Sequence, residues 1–165
     1  MLLSACSRSS LNKELTNIDS LITEYNQLKI LVDSMNFNKA KLQYNEYELL
    51  MRKSRTSLEN LKPNEIKDAE FINKLKLLKR SLKPYIKTHQ NLTKNIPNNI
   101  QELKHLQNDI SNNVYDRLES HNFISKEKSL LNDNKEAYKI AIDGFSRSDS
   151  LLQTISEELE KISSY

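Results

Sequence analysis

Few residues in this chain have side chains and spacings suited to chemistry. Histidine occurs at 89, 105 and 121, and cysteine once, at Cys6. Glu102 and His105 form a Glu-x-x-His pair, the spacing with which helical bundles hold paired metal ions. Such a site takes a second pair and two further carboxylates from neighbouring helices. The sequence has no second pair, so no metal site is predicted. His89 falls at a core-facing spacing, where a histidine satisfied inside the fold is expected. One glycine in 165 residues leaves no Gly-x-Ser-x-Gly elbow for a nucleophilic serine and no glycine-rich loop to cradle a phosphate or dinucleotide. A lone cysteine excludes an intrachain disulfide and a multi-cysteine zinc site. No catalytic residue and no cofactor is predicted, no small-molecule substrate is expected, and the chain reads as non-enzymatic.

The charged residues are more suggestive. Twenty-five Lys and Arg against 22 Asp and Glu give a net charge of +3, too small by itself to imply nucleic-acid binding. The cations are nevertheless concentrated. Residues 62–94 carry nine Lys or Arg against Glu65, Asp68 and Glu70. At 100° per residue, Lys76, Arg80, Lys83, Lys87 and Lys94 fall within roughly 60° of one helical circumference. The row is a candidate contact for an anionic partner: lipid headgroups, cell-wall polymer or nucleic acid. A solvated helix face explains the same pattern. No aromatic side chains interleave to stack bases, which places nucleic acid last.

These residues must be positioned by helices. A single Gly, three Pro and no Trp argue against sandwiches, barrels and doubly wound folds, whose turns and loops consume glycine. Apolar residues recur at steps of three and four. Ile18, Leu21, Tyr25, Leu28, Val32 and Met35 form one stripe, and Phe37, Ala40, Tyr44, Tyr47, Met51, Ser54, Leu58 and Leu61 a second. Phe71, Leu75, Leu78, Leu82, Tyr85, His89, Leu92 and Ile96 form a third. The last runs through Tyr138, Ala141, Phe145, Ser148, Leu152, Ile155, Leu159 and Ile162. Alternation of 3 and 4 averages 3.5 residues and keeps one seam toward a partner helix. The tyrosines on these stripes read as core filler with polar tips.

Proline disfavours helix at the residue before it, so Pro63 and Pro97 are expected to end helices. Pro84 lies inside a stripe that stays in register, which predicts a kink near Lys79–Leu82. The spacing predicts helices over 10–35, 38–60, 64–95, 98–119 and 125–163, the last unbroken past Gly144. The fold class is therefore all-α: an elongated antiparallel bundle of about five helices with coiled-coil-like packing, one domain over 11–165. Ser34-Met35-Asn36-Phe37 and Ser120-His121-Asn122-Phe123 look alike and fall between predicted helices. Asn38 and Ser125 would then cap the helices that follow.

The N-terminus carries the clearest functional signal. Leu3-Ser4-Ala5-Cys6 resembles a bacterial lipobox, an aliphatic residue followed by two small ones and cysteine. The resemblance implies that the Cys6 thiol receives diacylglycerol and that cleavage makes Cys6 the new N-terminus. Ser7-Arg8-Ser9-Ser10 would be a short polar tether, so residues 1–10 are set apart from the helical body. Only five residues precede Cys6. The basic and long apolar regions of a full secretory signal would come from an upstream start or have been lost by trimming. With its abundant Asn and Lys, the chain is similar to small helical lipoproteins of Bacteroidota-like bacteria. That resemblance implies an outer-membrane lipoprotein, and the absence of acidic residues after Cys6 favours its periplasmic side. The expected partners are the membrane, through the lipid, and a protein or second copy through the helical seams. A soluble intracellular adaptor ranks second and a nucleic-acid-associated bundle third.

Overall fold

The computed structural model describes the backbone of residues 3–59 and 66–163, and the side chains of 11–54 and 70–161. It is all-α, with no strand among the described residues. The helices are α1 (Leu3–Asp33), α2 (Phe37–Glu59), α3 (Ile66–Ser111), α4 (Arg117–Phe145) and α5 (Ser148–Ser163). They pack as two antiparallel bundles. The first unit joins Met1–Met35 to Gln90–Ala137, and the second joins Asn36–His89 to Tyr138–Tyr165.

In the first unit α1 runs antiparallel to α3. Gln107 Nε2 donates to Asp19 Oδ1 at 2.7 Å, and Asn99 Nδ2 donates to the Tyr25 hydroxyl at 3.2 Å. Helix α4 runs alongside α1, tied by Lys135 to Glu24 at 2.6 Å. Every residue of the first stripe, Ile18 through Met35, is buried. Leu92, Ile96, Leu103, Leu106, Ile110, Ile124 and Leu131 of the same unit are also buried. In the second unit the core is Tyr47, Leu50, Phe71, Leu75, Leu78, Leu82, Leu152, Ile155 and Leu159. Tyr85 stacks on Phe145 at 4.0 Å between ring centroids.

Several expected boundaries move, each for a local reason. Helix α3 passes through both Pro84 and Pro97, so the predicted separation of 64–95 from 98–119 does not occur. The seam stays in register across Pro97, with Leu92 and Ile96 buried before it and Leu103 and Leu106 after it. Their burial outweighs one missing hydrogen bond. The helix stops instead at Asn113, whose φ of 56° is the left-handed conformation that asparagine tolerates. There the Val114 amide donates to the Asp109 carbonyl at 2.9 Å and the Asn113 amide to the Ile110 carbonyl at 3.0 Å, closing the α3 C-terminus as a Schellman turn.

Helix α4 starts on a reciprocal capping box. The Glu119 amide donates to Asp116 Oδ1 at 2.8 Å, and the Asp116 amide to Glu119 Oε2 at 3.0 Å. Ser120–Phe123 consequently lies inside α4, not between helices, and Ser125 is not a cap. The α1–α2 turn is where the sequence places it, but its cap is Asn36 rather than Asn38: Asn36 Oδ1 accepts from the Lys39 amide at 3.1 Å. Helix α1 starts at Leu3, ahead of the expected residue 10. The seam of α2 also shifts. Gln43 and Leu50 are buried, while Tyr44 and Met51 are half-buried flanks of the core. Leu58, Leu61, Pro63 and Ile162 have side chains outside the described residues.

The expected final helix is interrupted at 146–147, between α4 and α5. Gly144 precedes the break within helix α4 and has no positive φ. A Cβ there would meet the Ser81 carbonyl oxygen at 3.5 Å and its Cα at 3.6 Å, which is ordinary contact. Gly144→Ala is therefore expected to raise the unfolding free energy by about 0.5–1 kcal/mol, the helix-interior advantage of alanine. Urea titration measures this, and a loss of stability would show that α3 and α4 cannot accept the methyl group.

Candidate functional site

Two places bear on function, one in each unit. In the first unit the hydrogen-bonded pairs set the register. Asp19 lies level with Gln107 and Tyr25 with Asn99, while Glu24 lies level with Lys135. At 1.5 Å per residue, the first two turns of α1 reach the level of the α3–α4 turn at 112–116. The backbone of Cys6 is therefore at that end of the unit, although its side chain is outside the described residues. The same end exposes apolar surface. Val114 is 60% exposed, Leu118 68% and Phe123 42%, and Tyr115 leans on Phe123 at 4.9 Å between centroids. The spacing predicts helix through 119 and a connection at 120–124, so it puts Val114 and Leu118 within a helix rather than at a turn. Asn112-Asn113 followed by Asp116-x-x-Glu119 was the signal that could have placed the turn.

In the second unit the basic row stands on α3. Lys76, Arg80, Lys83 and Lys87 are all exposed, and none forms an ion pair among the described residues. Lys94, also exposed, belongs to the first unit. The nearby Lys74 is different, being held between Glu70 at 3.1 Å and Glu158. These two carboxylates raise its pKa, Glu158 most.

Two polar networks sit against the cores. In the second unit, Ser148 is fully buried and Gln43 nearly so. The Ser148 hydroxyl lies 2.9 Å from Gln43 Oε1 and 2.8 Å from the Phe145 carbonyl. The Gln43 amide nitrogen donates to Asp149, which also pairs with Lys39. This network joins α2 to the start of α5 and accounts for a glutamine in the seam. In the first unit the buried Tyr25 hydroxyl accepts from Asn99. Burial raises its pKa, with the Glu127 charge adding to the effect.

Glu127 Oε2 is buried without a hydrogen-bond partner. Burial also pushes the Glu127 carboxyl above the usual carboxylate range, outweighing Lys126, which lowers it, while Glu102 raises it further. A raised folded-state pKa favours the protonated protein. The resulting stability is present below the unfolded-state value and is lost as pH rises through the folded one. Glu127→Gln is expected to raise the melting temperature at pH 7, with the gain vanishing toward pH 4. Melting curves across that range test it, and a pH-independent difference would mean that the charge is not the cause.

The histidines are scattered. His89, half-buried, stacks on Phe37 at 4.3 Å between centroids, with Lys41 on the same phenyl ring at 4.6 Å. His105 is exposed, 3.4 Å from Gln101 Nε2, and His121 is exposed. Among the described residues no group of three His, Cys, Asp or Glu could hold a metal ion. No helix of the described residues is long and apolar enough to cross a membrane. Comparisons with family models, curated proteins and solved structures find no match to this chain.

Between α2 and α5 an open groove of 530 Å³ is lined by Glu46, Leu49, Leu50, Lys53, Ser156, Leu159 and Glu160. Leu49 is exposed at its rim.

Proposed function

We propose that the protein is a lipid-anchored envelope lipoprotein, held by a diacylglyceryl thioether on Cys6, whose helical body serves as a spacer, scaffold or adaptor rather than an enzyme. The observation that carries this reading is Leu3-Ser4-Ala5-Cys6, with the only cysteine of the chain at its last position. Each acyl CH₂ taken up by a bilayer contributes about 0.8 kcal/mol, so two or three chains on one cysteine anchor a protein stably. The outer membrane, periplasmic side, is the proposed location, because Ser7-Arg8-Ser9-Ser10 lacks acidic residues.

Intact mass of the protein purified from membranes of its native host tests the reading. The expected species begins at Cys6 and is heavier by a diacylglyceryl group, with or without an N-acyl chain. An unmodified chain that retains Met1 in the cytosolic fraction would overturn it.

A second reading, a soluble adaptor, is favoured by the groove between α2 and α5, where the exposed Leu49 stands at the rim above the core residues Leu50 and Leu159 as an anchor for a partner helix. Under either reading Lys76, Arg80, Lys83 and Lys87 are the proposed contact for an anionic partner. Reversing these four charges to Glu should abolish binding to an anionic polymer such as heparin, and binding by the native protein should weaken steeply with salt. Binding unchanged by the reversal would assign the row to solvent.

A further inference from the structure

We propose that the end of the α3–α4 hairpin is a second membrane contact of the anchored protein, with Val114, Leu118 and Phe123 entering the bilayer interface. The inference rests on the lipid-anchored reading and adds a surface to it. Three large apolar side chains are exposed at one end of the first unit, in and just beyond a turn fixed on both sides. The Schellman closure at Asn113 and the capping box of Asp116 and Glu119 hold that turn in place.

The register of α1 against α3 and α4 puts the Cys6 backbone at the same end. An acyl group on Cys6 would thus hold this turn against the headgroups. A second protein is a poorer occupant. A stable protein interface takes about 20–30 residues a side with matched shapes, whereas a bilayer interface accepts a few apolar side chains without shape matching. Charge does not drive the contact, because Asp109, Asp116 and Glu119 outnumber Arg117 and Lys126 over residues 109–126 and leave no excess of cations at the turn. The contact is therefore expected to be indifferent to anionic lipid and to salt.

The test uses the acylated protein purified from membranes and reconstituted into phosphatidylcholine vesicles, with and without one-fifth phosphatidylglycerol. Leu118→Cys supplies a thiol for a polarity-sensitive fluorophore, since acylated Cys6 is blocked. Ile30→Cys, exposed at the opposite end of α1, is the control. Lipids carrying a shallow nitroxide should quench the label at 118 several-fold more than the label at 30, equally in both vesicle types and at high salt. Adding Val114→Ser and Phe123→Ser should bring quenching at 118 down to the control level. Protein that floats with the vesicles yet shows equal quenching at 118 and 30 would overturn this proposal and leave the anchor standing. Quenching that requires phosphatidylglycerol or low salt would overturn it in favour of charge-driven adsorption. Protein that carries no acyl group and does not float would overturn both.

Discussion

Leu78→Ala is expected to lower the unfolding free energy by about 2–5 kcal/mol, the range for truncating a fully buried leucine. Leu78 is 0% exposed within the second core, surrounded by Leu75, Leu82, Leu152 and Ile155. Removing its side chain loses the transfer free energy of three carbons and leaves a cavity that three packed helices cannot readily collapse. The neighbouring Leu77 is 48% exposed, and Leu77→Ala should change stability by less than about 0.5 kcal/mol, as surface substitutions usually do. The pair tests the register of α3 directly, because a rotation of one residue would exchange the two effects. Urea denaturation of both variants is the measurement, and similar losses from the two would contradict the packing of the second unit.

Pro97→Ala is expected to act in the opposite direction. Pro97 is exposed in the interior of a 46-residue helix, where proline costs about 3 kcal/mol relative to alanine. It removes the amide that would donate to the Thr93 carbonyl, and its ring crowds that carbonyl. Two effects reduce the gain. Thr93 is exposed, so water can satisfy its carbonyl, and alanine gives the unfolded chain more freedom. The net expected stabilisation is about 2 kcal/mol, after roughly 0.4–1 kcal/mol of unfolded-state entropy is returned. Denaturant midpoints at unchanged slope check it. A destabilised variant would mean that the backbone geometry proline imposes at 97 is needed to keep Leu103, Leu106 and Ile110 buried.

Pro97 also shows where local reasoning stops. The rule that proline ends a helix weighs one lost hydrogen bond and a steric clash. The rule is local, and the seam on either side is not. Leu92, Ile96, Leu103 and Leu106 bury together against other helices, a gain that only the assembled bundle supplies. Gly144 was a weak point on propensity, yet it lies within helix, and the chain breaks beyond it at 146–147, beside the buried Ser148 hydroxyl. In α2 the sequence offers two seams one residue apart. The choice of Gln43 over Tyr44 depends on Ser148 and Asp149, which lie more than a hundred residues away: the Ser148 hydroxyl donates to Gln43 Oε1, and Asp149 accepts from the Gln43 amide nitrogen.

What the sequence determined by itself was the helical class, three of the four seams, and the two features that carry the functional proposals. Periodicity, glycine scarcity and a basic row at one helical angle are properties of the order of residues, and no folding is needed to read them. The tetrapeptide ending in Cys6 is likewise a local pattern. Tertiary structure decided which prolines the helices tolerate and where the α3–α4 turn falls. It also decided that the turn's exposed apolar side chains share an end with the start of α1. Each of these depends on free energies summed over residues distant in sequence, which no local spacing records.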